Sequence, residues 1–558
     1  MIVRNEAHIV TEVLDGVAPY ITSWVIVDTG SQDGTQDVIR AHLGGLGIPG
    51  ELHERPWHNF GRNRSEALNL AQGHGDYIWV IDADDLLVGT PDFAGLSADV
   101  YQLRYGADFT YWRRQLFRNG LPWHYTGVVH EYPDCEGPFS EERLQGDYYV
   151  ESRRLGARSL DPQKYARDRD LLLEQVQRNP GDTRSVFYLA QSYYDLGDYA
   201  NARDWYARRT EMGGWDEEVY LAVFRMAQAM SQLDMHWPDV QHAYLKAWEF
   251  RPTRAEALHA IAYRYRTDKR YRLGYLFAER AAQIPLPEND KLFVGGDIYA
   301  WRALDEQAIC ASWIDKHPEA FTICRRLLAR NDIPDAHRKR IAANRDASVP
   351  TMLEAATVYP DAIVQSVLAG RRDGEVTVTL VAGPDRHTTE RSLNSFLHCC
   401  SDLQEAGRFL LLAGGLSADD RANLQQRYPF LEFSEGSTPS ATAIRQQIVG
   451  RLWLHLGQGW RFFAPENLIT RLSAILRAEP DVVQVAINFA DADQLTGACA
   501  PEDTVCRAVD TGRYVLTDQI STGPAMFDTA RIDHAGGLGA TAAGLRAASL
   551  DEVLCTRG

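Results

Sequence analysis

Two apolar runs that end in carboxylates limit the folds open to this chain. Trp24-Val25-Ile26-Val27 leads into Asp28-Thr29-Gly30-Ser31-Gln32-Asp33-Gly34-Thr35, with an amphipathic stretch at 36–43 behind it. Tyr77-Ile78-Trp79-Val80-Ile81 leads into Asp82-Ala83-Asp84-Asp85. A run apolar at every position marks a strand buried on both faces, and a polar or glycine turn followed by a helix marks an α/β unit with a parallel sheet. Ligands of such sheets bind beyond the carboxyl ends of the strands, where both acidic clusters fall. An unpaired carboxylate is costly to bury. Two close carboxylates, by contrast, hold Mg²⁺ or Mn²⁺ when phosphate oxygens complete the shell.

Further along, the texture changes twice. From about 160 to 345 the chain is rich in Ala, Arg, Leu and Tyr, and a spacing recurs. Leu189-Ala190, Tyr193, Gly197, Tyr199, Ala202 and Tyr206 occupy tetratricopeptide positions; Ile261-Ala262, Tyr265, Tyr271, Gly274 and Ala281 repeat them, with Pro285 closing the unit. Small residues where helices cross and aromatics between pairs suit stacked helix hairpins. Near 350 the α/β texture returns: Val376–Val381, Phe409–Leu412 and 482–487 read as strands and 390–398 as a helix. The expected fold is therefore multi-domain α/β plus α: residues 1–150, a helical repeat region at 151–347, and a second sheet domain at 348–558.

The charge balance removes whole classes of function. With 58 basic against 76 acidic residues the chain carries −18, which argues against a nucleic-acid partner or an anionic membrane surface. No apolar run approaches the roughly 18–20 residues of a membrane span, and residues 1–30 lack a signal peptide. The eight cysteines show neither CxxC nor zinc spacing, which points to a reducing cytoplasm.

Four motifs occur in order: Met1-Ile2-Val3-Arg4-Asn5-Glu6-Ala7, Val27–Thr35, Asn59-Phe60-Gly61-Arg62-Asn63-Arg64 and Trp79–Asp84. Together they resemble the family-2 glycosyltransferases of GT-A (Rossmann-like) fold, which show MIVKNE, VDTGSTDGT, ARN and DAD in that sequence and often carry a tetratricopeptide segment behind the catalytic domain. The resemblance covers about residues 1–135. It implies a nucleotide-sugar site at Val3, Arg4, Glu6, Asp28, Gly30, Asp33, Arg62, Asp82 and Ala83, with a UDP-sugar favoured as donor. It further implies a cation, Mn²⁺ or Mg²⁺, on Asp84, with Asp82 and His130 completing the set. One departure is that the chain opens at Met1 directly on the motif where relatives carry a few residues more, so a short first strand is expected.

The chemistry of each motif fits that reading. Asp28 at a strand end can accept from a base N–H, Gly30 and Gly34 permit a close turn, and Thr35 starts the next helix. Asp33 serves either the ligand or its own turn. Arg62 and Arg64 suit phosphate oxygens, with Arg62 favoured by its place in the motif. Trp123-His124-Tyr125-Thr126-Gly127-Val128-Val129-His130-Glu131 is similar to the W…G.VHE ending of the same family's catalytic domain. Glu131, alongside Asp84 in the catalytic set, is the candidate base for the acceptor, with Asp134 and Asp108 as rivals. Trp123 and Tyr125 either stack on a sugar or pack the sheet.

The last domain looks GT-A-like but stripped of its acids. Leu454–Phe462 resembles a transferase stretch that elsewhere reads LHLEDDW.F, and Gly457, Gln458 and Gly459 stand where the acids would be. Asp491-Ala492-Asp493 offers a second DxD whose polar approach favours a capping loop. The expectation is a cytoplasmic, metal-dependent, inverting glycosyltransferase acting on a protein or peptide acceptor, with self-association through the repeats open. The alternatives are a scaffold with inactive transferase-like domains, or a soluble glycan or polysaccharide glycosyltransferase.

Overall fold

The run at 24–27 becomes the middle strand of a small parallel sheet. The computed structural model describes residues 1–106, 111–370, 375–434, 441–495, 497–508, 510–534 and 546–558. The chain divides into two compact units: Met1–Ala257 with Pro287–Val294, and Leu258–Leu286 with Gly295–Gly558. The helical stretch is thus shared between them.

In the first unit β1 (Ile2–Val3), β2 (Trp24–Asp28) and β3 (Gly50–Glu54) pair in parallel in that order. Helix α1 (Val10–Val17) buries Val10, Val13, Leu14 and Val17, the three-and-four spacing of one helical face. Helix α2 (Thr35–Gly45) begins after Gly34, whose φ of 88° only glycine adopts without strain. Helix α3 (Phe60–Leu70) is capped by Asn59, whose side chain accepts from the Arg62 N–H at 2.8 Å.

The second run departs from expectation. Strand β4 covers only Tyr77–Trp79, leaving Val80 and Ile81 buried but outside the strand, and it does not join the parallel sheet. The following strands are β5 (Asp85–Asp92), β6 (Val100–Tyr105), β7 (Tyr111–Arg118), β8 (Trp123–Thr126), β9 (Tyr132–Cys135), β10 (Glu141–Arg143) and β11 (Gln145–Ser152). A second sheet runs β4-β7-β6-β11-β5 with β10 on β6, and β8 and β9 form a separate ribbon. β4 is antiparallel to β7. The reason is local: β1 pairs for two residues only, too few to bridge β2 and β4.

The helices that follow are α4 (Lys164–Arg178), α5 (Thr183–Asp195), α6 (Tyr199–Glu211), α7 (Asp216–Gln232), α8 (Trp237–Phe250), α9 (Glu256–Thr267) and α10 (Tyr271–Ala282). Of the recurring positions, Leu189, Ala190, Ala202 and Tyr206 are fully buried, as are Ile261 and Ala262, whereas Tyr193, Tyr199 and Tyr271 are half-buried and Gly197 is exposed. No described helix is long and apolar enough to cross a membrane.

In the second unit the sheet contains β12 (Val376–Val381), β13 (Ala406–Leu412), β14 (Leu431–Phe433) and β15 (Leu452–Leu456), in the parallel order β14-β13-β12-β15. Its remaining strands continue from β15 beyond the antiparallel strand at Ala525–Asp528. The helix read at 390–398 extends over Arg386–Cys399. All eight cysteines are free thiols.

Candidate functional site

The turns after β1 and β2 are sewn together by side chains. The Asn5 N–H donates to Ser31 Oγ at 2.9 Å, and its amide oxygen accepts from the Gln32 N–H at 2.8 Å. Thr35 Oγ1 accepts from the Glu6 N–H at 2.8 Å. Asp33 serves this turn: Oδ1 takes the N–H and hydroxyl of Thr35, and Oδ2 takes the Ala7 N–H. Asp28 is different. Its Oδ1 accepts from the N–H groups of Gly30 and Ser31, each at 2.8 Å, and the side chains of Ser31 and Gln36 also act on the buried carboxylate, whose Oδ2 takes no backbone donor. Burial disfavours its charge, yet the donors of Ser31 and Gly30 hold it below the usual carboxylate range. A buried carboxylate oxygen without a backbone donor accepts from side chains, water or a ligand.

Around β4 an ion cluster forms. Arg64 on α3 lies between Asp82 and Glu131; its Nε is 2.6 Å from Glu131 Oε1, and its other end pairs with Asp82 Oδ1. Arg113 of β7 stands 3.9 Å from Asp82. Burial opposes ionisation of Asp82, but Arg64 and then Arg113 keep it below the ordinary range. The helix can come this close because of Gly61: a Cβ there would sit 2.3 Å from the Gly127 carbonyl oxygen. Phe60 N–H donates to Val128 O at 3.1 Å, which fixes α3 against the segment leading to Glu131. Arg62 is exposed, Arg4 is exposed, and Val3 and Ala83 are buried.

Asp84 is held from a distant part of the chain. Its Oδ2 accepts from the Gly156 N–H at 2.9 Å, its carbonyl from Arg153 Nε at 3.2 Å, and the next amide, Ala157, donates to Glu6. Burial raises the Glu6 carboxyl to about 7. Asp85 is fully buried, accepts from the Tyr105 hydroxyl at 2.9 Å, and is also raised to about 7, by burial and then by the charge of Asp82.

His130 goes elsewhere. Its ring stacks on Tyr188 with centroids 3.9 Å apart, and its carbonyl accepts from Arg184. Among the described residues no three His, Cys, Asp or Glu side chains converge to hold a metal ion, so His130 does not close a set with Asp82 and Asp84. Asp82 faces the guanidinium groups of Arg64 and Arg113, and Asp84 Oδ2 takes the Gly156 amide. Trp123 is buried between Phe117 and Phe139 at about 5 Å and packs the core. Tyr125 lies edge-on to Phe117, with the Arg64 guanidinium 5.8 Å from its ring. Asp134 caps its neighbour Cys135, and Asp108 lies outside the described residues. Arg113, Gly156, Ala157 and Tyr188 had no sequence signal, since each arrives from more than 25 residues away; Arg64 had one, its place beside Arg62 in the third motif.

In the second unit, residues 457–459 form the turn between β15 and a short strand at Trp460–Phe462. Asp491 accepts from the Thr522 and Gly523 amides and from the Ser521 hydroxyl, so it ties its loop to the non-helical segment ahead of the strand at Ala525–Asp528 and caps no helix, where a capping loop was expected.

Glycosyl transferase family 2 matches residues 1–90, which take in every acidic turn from Glu6 to Asp85. No curated protein matches the chain. Similar solved structures include MamA, at 12% identity over 29% of this chain and 84% of that one with a TM-score of 0.24. YrrB, described as a TPR protein with an unusual peptide-binding site, shows 13% identity over 32% and 82% with a TM-score of 0.26. The C-terminal part of a TPR repeat-containing protein from Cytophaga hutchinsonii shows 12% identity over 36% and 80% with a TM-score of 0.27. Nothing below rests on likenesses this faint.

Proposed function

We propose that the first unit moves a sugar from a nucleoside diphosphate donor to an acceptor hydroxyl with the help of Mn²⁺ or Mg²⁺. The observation that supports this most is that, within the stretch matching Glycosyl transferase family 2, a buried carboxylate, Asp28, ends strand β2 with one oxygen that no backbone group satisfies. Asp28 Oδ2 accepts an N–H of the donor's base, uracil by preference. Arg62, exposed on the first turn of α3, reaches a phosphate oxygen. A bound cation neutralises the departing diphosphate. Asp84 and Asp82 are the ligands this chain offers it.

Glu131, oriented by Arg64, takes the acceptor's proton while the acceptor oxygen attacks the anomeric carbon in line. The new C–O bond forms as the bond to the diphosphate breaks. The nucleoside diphosphate leaves, configuration inverts, and no covalent enzyme intermediate is needed. A protein or peptide is the acceptor class we assign, since helix hairpins of this kind suit an extended chain.

The test is a thermal-shift screen of nucleoside diphosphates and nucleotide sugars, with and without Mn²⁺, on the wild type and Asp84→Asn. A ligand at about 100 times its Kd stabilises the fold by roughly 2.7 kcal/mol. The expected result is a Mn²⁺-dependent rise with one nucleotide, absent in Asp84→Asn. No rise with any donor from a folded sample refutes the transferase reading and favours a scaffold.

A further inference from the structure

A cavity of about 730 Å³ in the second unit is lined by cations that the neighbouring acids serve unevenly. Its walls are the helix His317–Leu328, the start of the helix Asp335–Ala347 and the first turn of the helix Leu468–Ala478. The hairpin of the strands Cys506–Ala508 and Gly512–Thr517 forms another wall, and Asp551 and Glu552 close one side. These two acids follow the strand Arg546–Leu550, which runs parallel to Val482–Ala486. The cavity therefore lies beyond the carboxyl ends of parallel strands, the edge at which α/β sheets take ligands. In the sheet order its strands stand on the far side of Val482–Ala486 from β12 and β15, apart from the turn at 457–459.

Six guanidinium groups line the cavity, those of Arg325, Arg326, Arg338, Arg471, Arg507 and Arg513, against four carboxylates. In a chain of −18 this is a local reversal of the average surface. One side is well matched. Arg325 and Arg471 share Glu466 and Glu552, and Arg513 lies 2.6 Å from Asp551. On the other side the match fails. Glu502 faces three guanidinium groups: Arg338 at 3.4 Å, Arg513 at 2.9 Å, and Arg507. Arg338 is 2% exposed and donates Nη1 and Nη2 to the carbonyls of Arg330 and Leu328. Its Nε has no partner among the described residues. Arg326 is exposed, and no carboxylate among the described residues pairs with it. Asp510, the fourth lining carboxylate, is exposed on the hairpin turn and pairs with none of these cations. With Arg513 held by Asp551, the three cations Arg326, Arg338 and Arg507 have one carboxylate, Glu502, between them.

A buried guanidinium N–H left unmet is costly, and a small anion meets it. A phosphoryl group suits this wall best, since it brings about 1.5–2 negative charges and three acceptor oxygens in one group. Guanidinium forks bind such oxygens two at a time. The volume exceeds what a phosphoryl group fills and falls in the range of small-molecule pockets, roughly 300–1,000 Å³. Leu328 and Ala329 give the remainder an apolar wall beside Arg338. We propose that this cavity binds a phosphorylated small molecule, its phosphoryl group beside Arg338 and Arg507 within the field of Arg326, its remainder against Leu328 and Ala329. The site is built wholly within the second unit and does not depend on what the first unit transfers.

The experiment titrates inorganic pyrophosphate and fructose 1,6-bisphosphate into the full-length chain by calorimetry, in EDTA so that no cation-dependent site contributes. Binding of at least one probe at millimolar concentration or below is expected, with slower hydrogen exchange at the Arg507, Gly512 and Arg513 amides. Arg326→Ala with Arg507→Ala removes two exposed side chains and should weaken binding by at least about tenfold. Asp84→Asn, in the first unit, should bind as the wild type does. The exchange measurement on the wild type needs no variant, so a double variant that folds poorly leaves the test intact. No binding of either probe overturns the proposal, as does equal binding by a folded double variant. Loss of binding in Asp84→Asn also overturns it, because the anion then sits in the first unit. The same protection from sodium chloride at equal ionic strength overturns it too, since screening alone then accounts for the effect.

Discussion

Replacing Gly61 with alanine probes how α3 is held against the segment that carries Glu131. An added Cβ would lie 2.3 Å from the Gly127 carbonyl oxygen and 3.2 Å from that of Tyr125. The first contact falls about 1 Å inside normal packing distance, and both partners are backbone, so no side chain can swing away. Overpacking of this kind costs about 1–3 kcal/mol. The gain from alanine over glycine in a helix is about 1 kcal/mol, so the net change is a loss of up to about 2 kcal/mol. For a domain of this size that lowers the melting midpoint by about 2–4 °C per kcal/mol. Gly44→Ala in α2 is the control, because no atom lies within 4 Å of its added Cβ; it should stabilise slightly. Thermal melts by circular dichroism read both. If Gly61→Ala melts at or above the wild type while Gly44→Ala behaves as expected, the close approach of α3 does not exist in solution.

Three further outcomes are expected. Gly274→Ala should destabilise the second unit by about 1–3 kcal/mol, since its Cβ would meet Cys310 Sγ at 2.7 Å; adding Cys310→Ala should restore most of the loss, a coupling read from a double-mutant cycle of denaturant melts. Glu552 accepts from Arg325 and also faces Arg471 and Arg345; because Glu466, Asp551 and Asp346 still pair these guanidinium groups, Glu552→Ala removes one charged acceptor from a buried network and should cost about 1.5–3 kcal/mol, with little response to added salt. His455 in β15 is lowered to about 4 by burial. The unfolded chain therefore binds its proton first as pH falls, so the stability of the second unit should drop from pH 6.5 toward 4. His455→Asn should flatten that slope in melts taken across the range.

How much of this was legible beforehand follows from how far apart the partners stand in the chain. Strand β12 was readable to the residue, and α2 to within two at either end, because apolar runs and helical spacing are local properties. The Asp28 turn was readable for the same reason: Gly30 and Ser31, its donors, lie two and three residues on. Asp33, left between ligand and turn, binds the turn at Thr35 and Ala7. Trp123, left between sugar and core, packs the core, a matter settled by Phe117 and Phe139 and not by its own neighbours in sequence.

The sequence by itself determined which residues end the apolar strands in acids and where small and aromatic residues recur along the helices. Tertiary structure alone decided that Arg64 lies between Asp82 and Glu131, that Gly156 and Ala157 bring their amides to Asp84 and Glu6, and that β4 turns to β7 and away from β2. The physical reason is the range of the forces that set them. Turn, cap and periodicity energies act within a few residues, whereas an ion pair or a strand edge takes whatever partner the closed chain delivers.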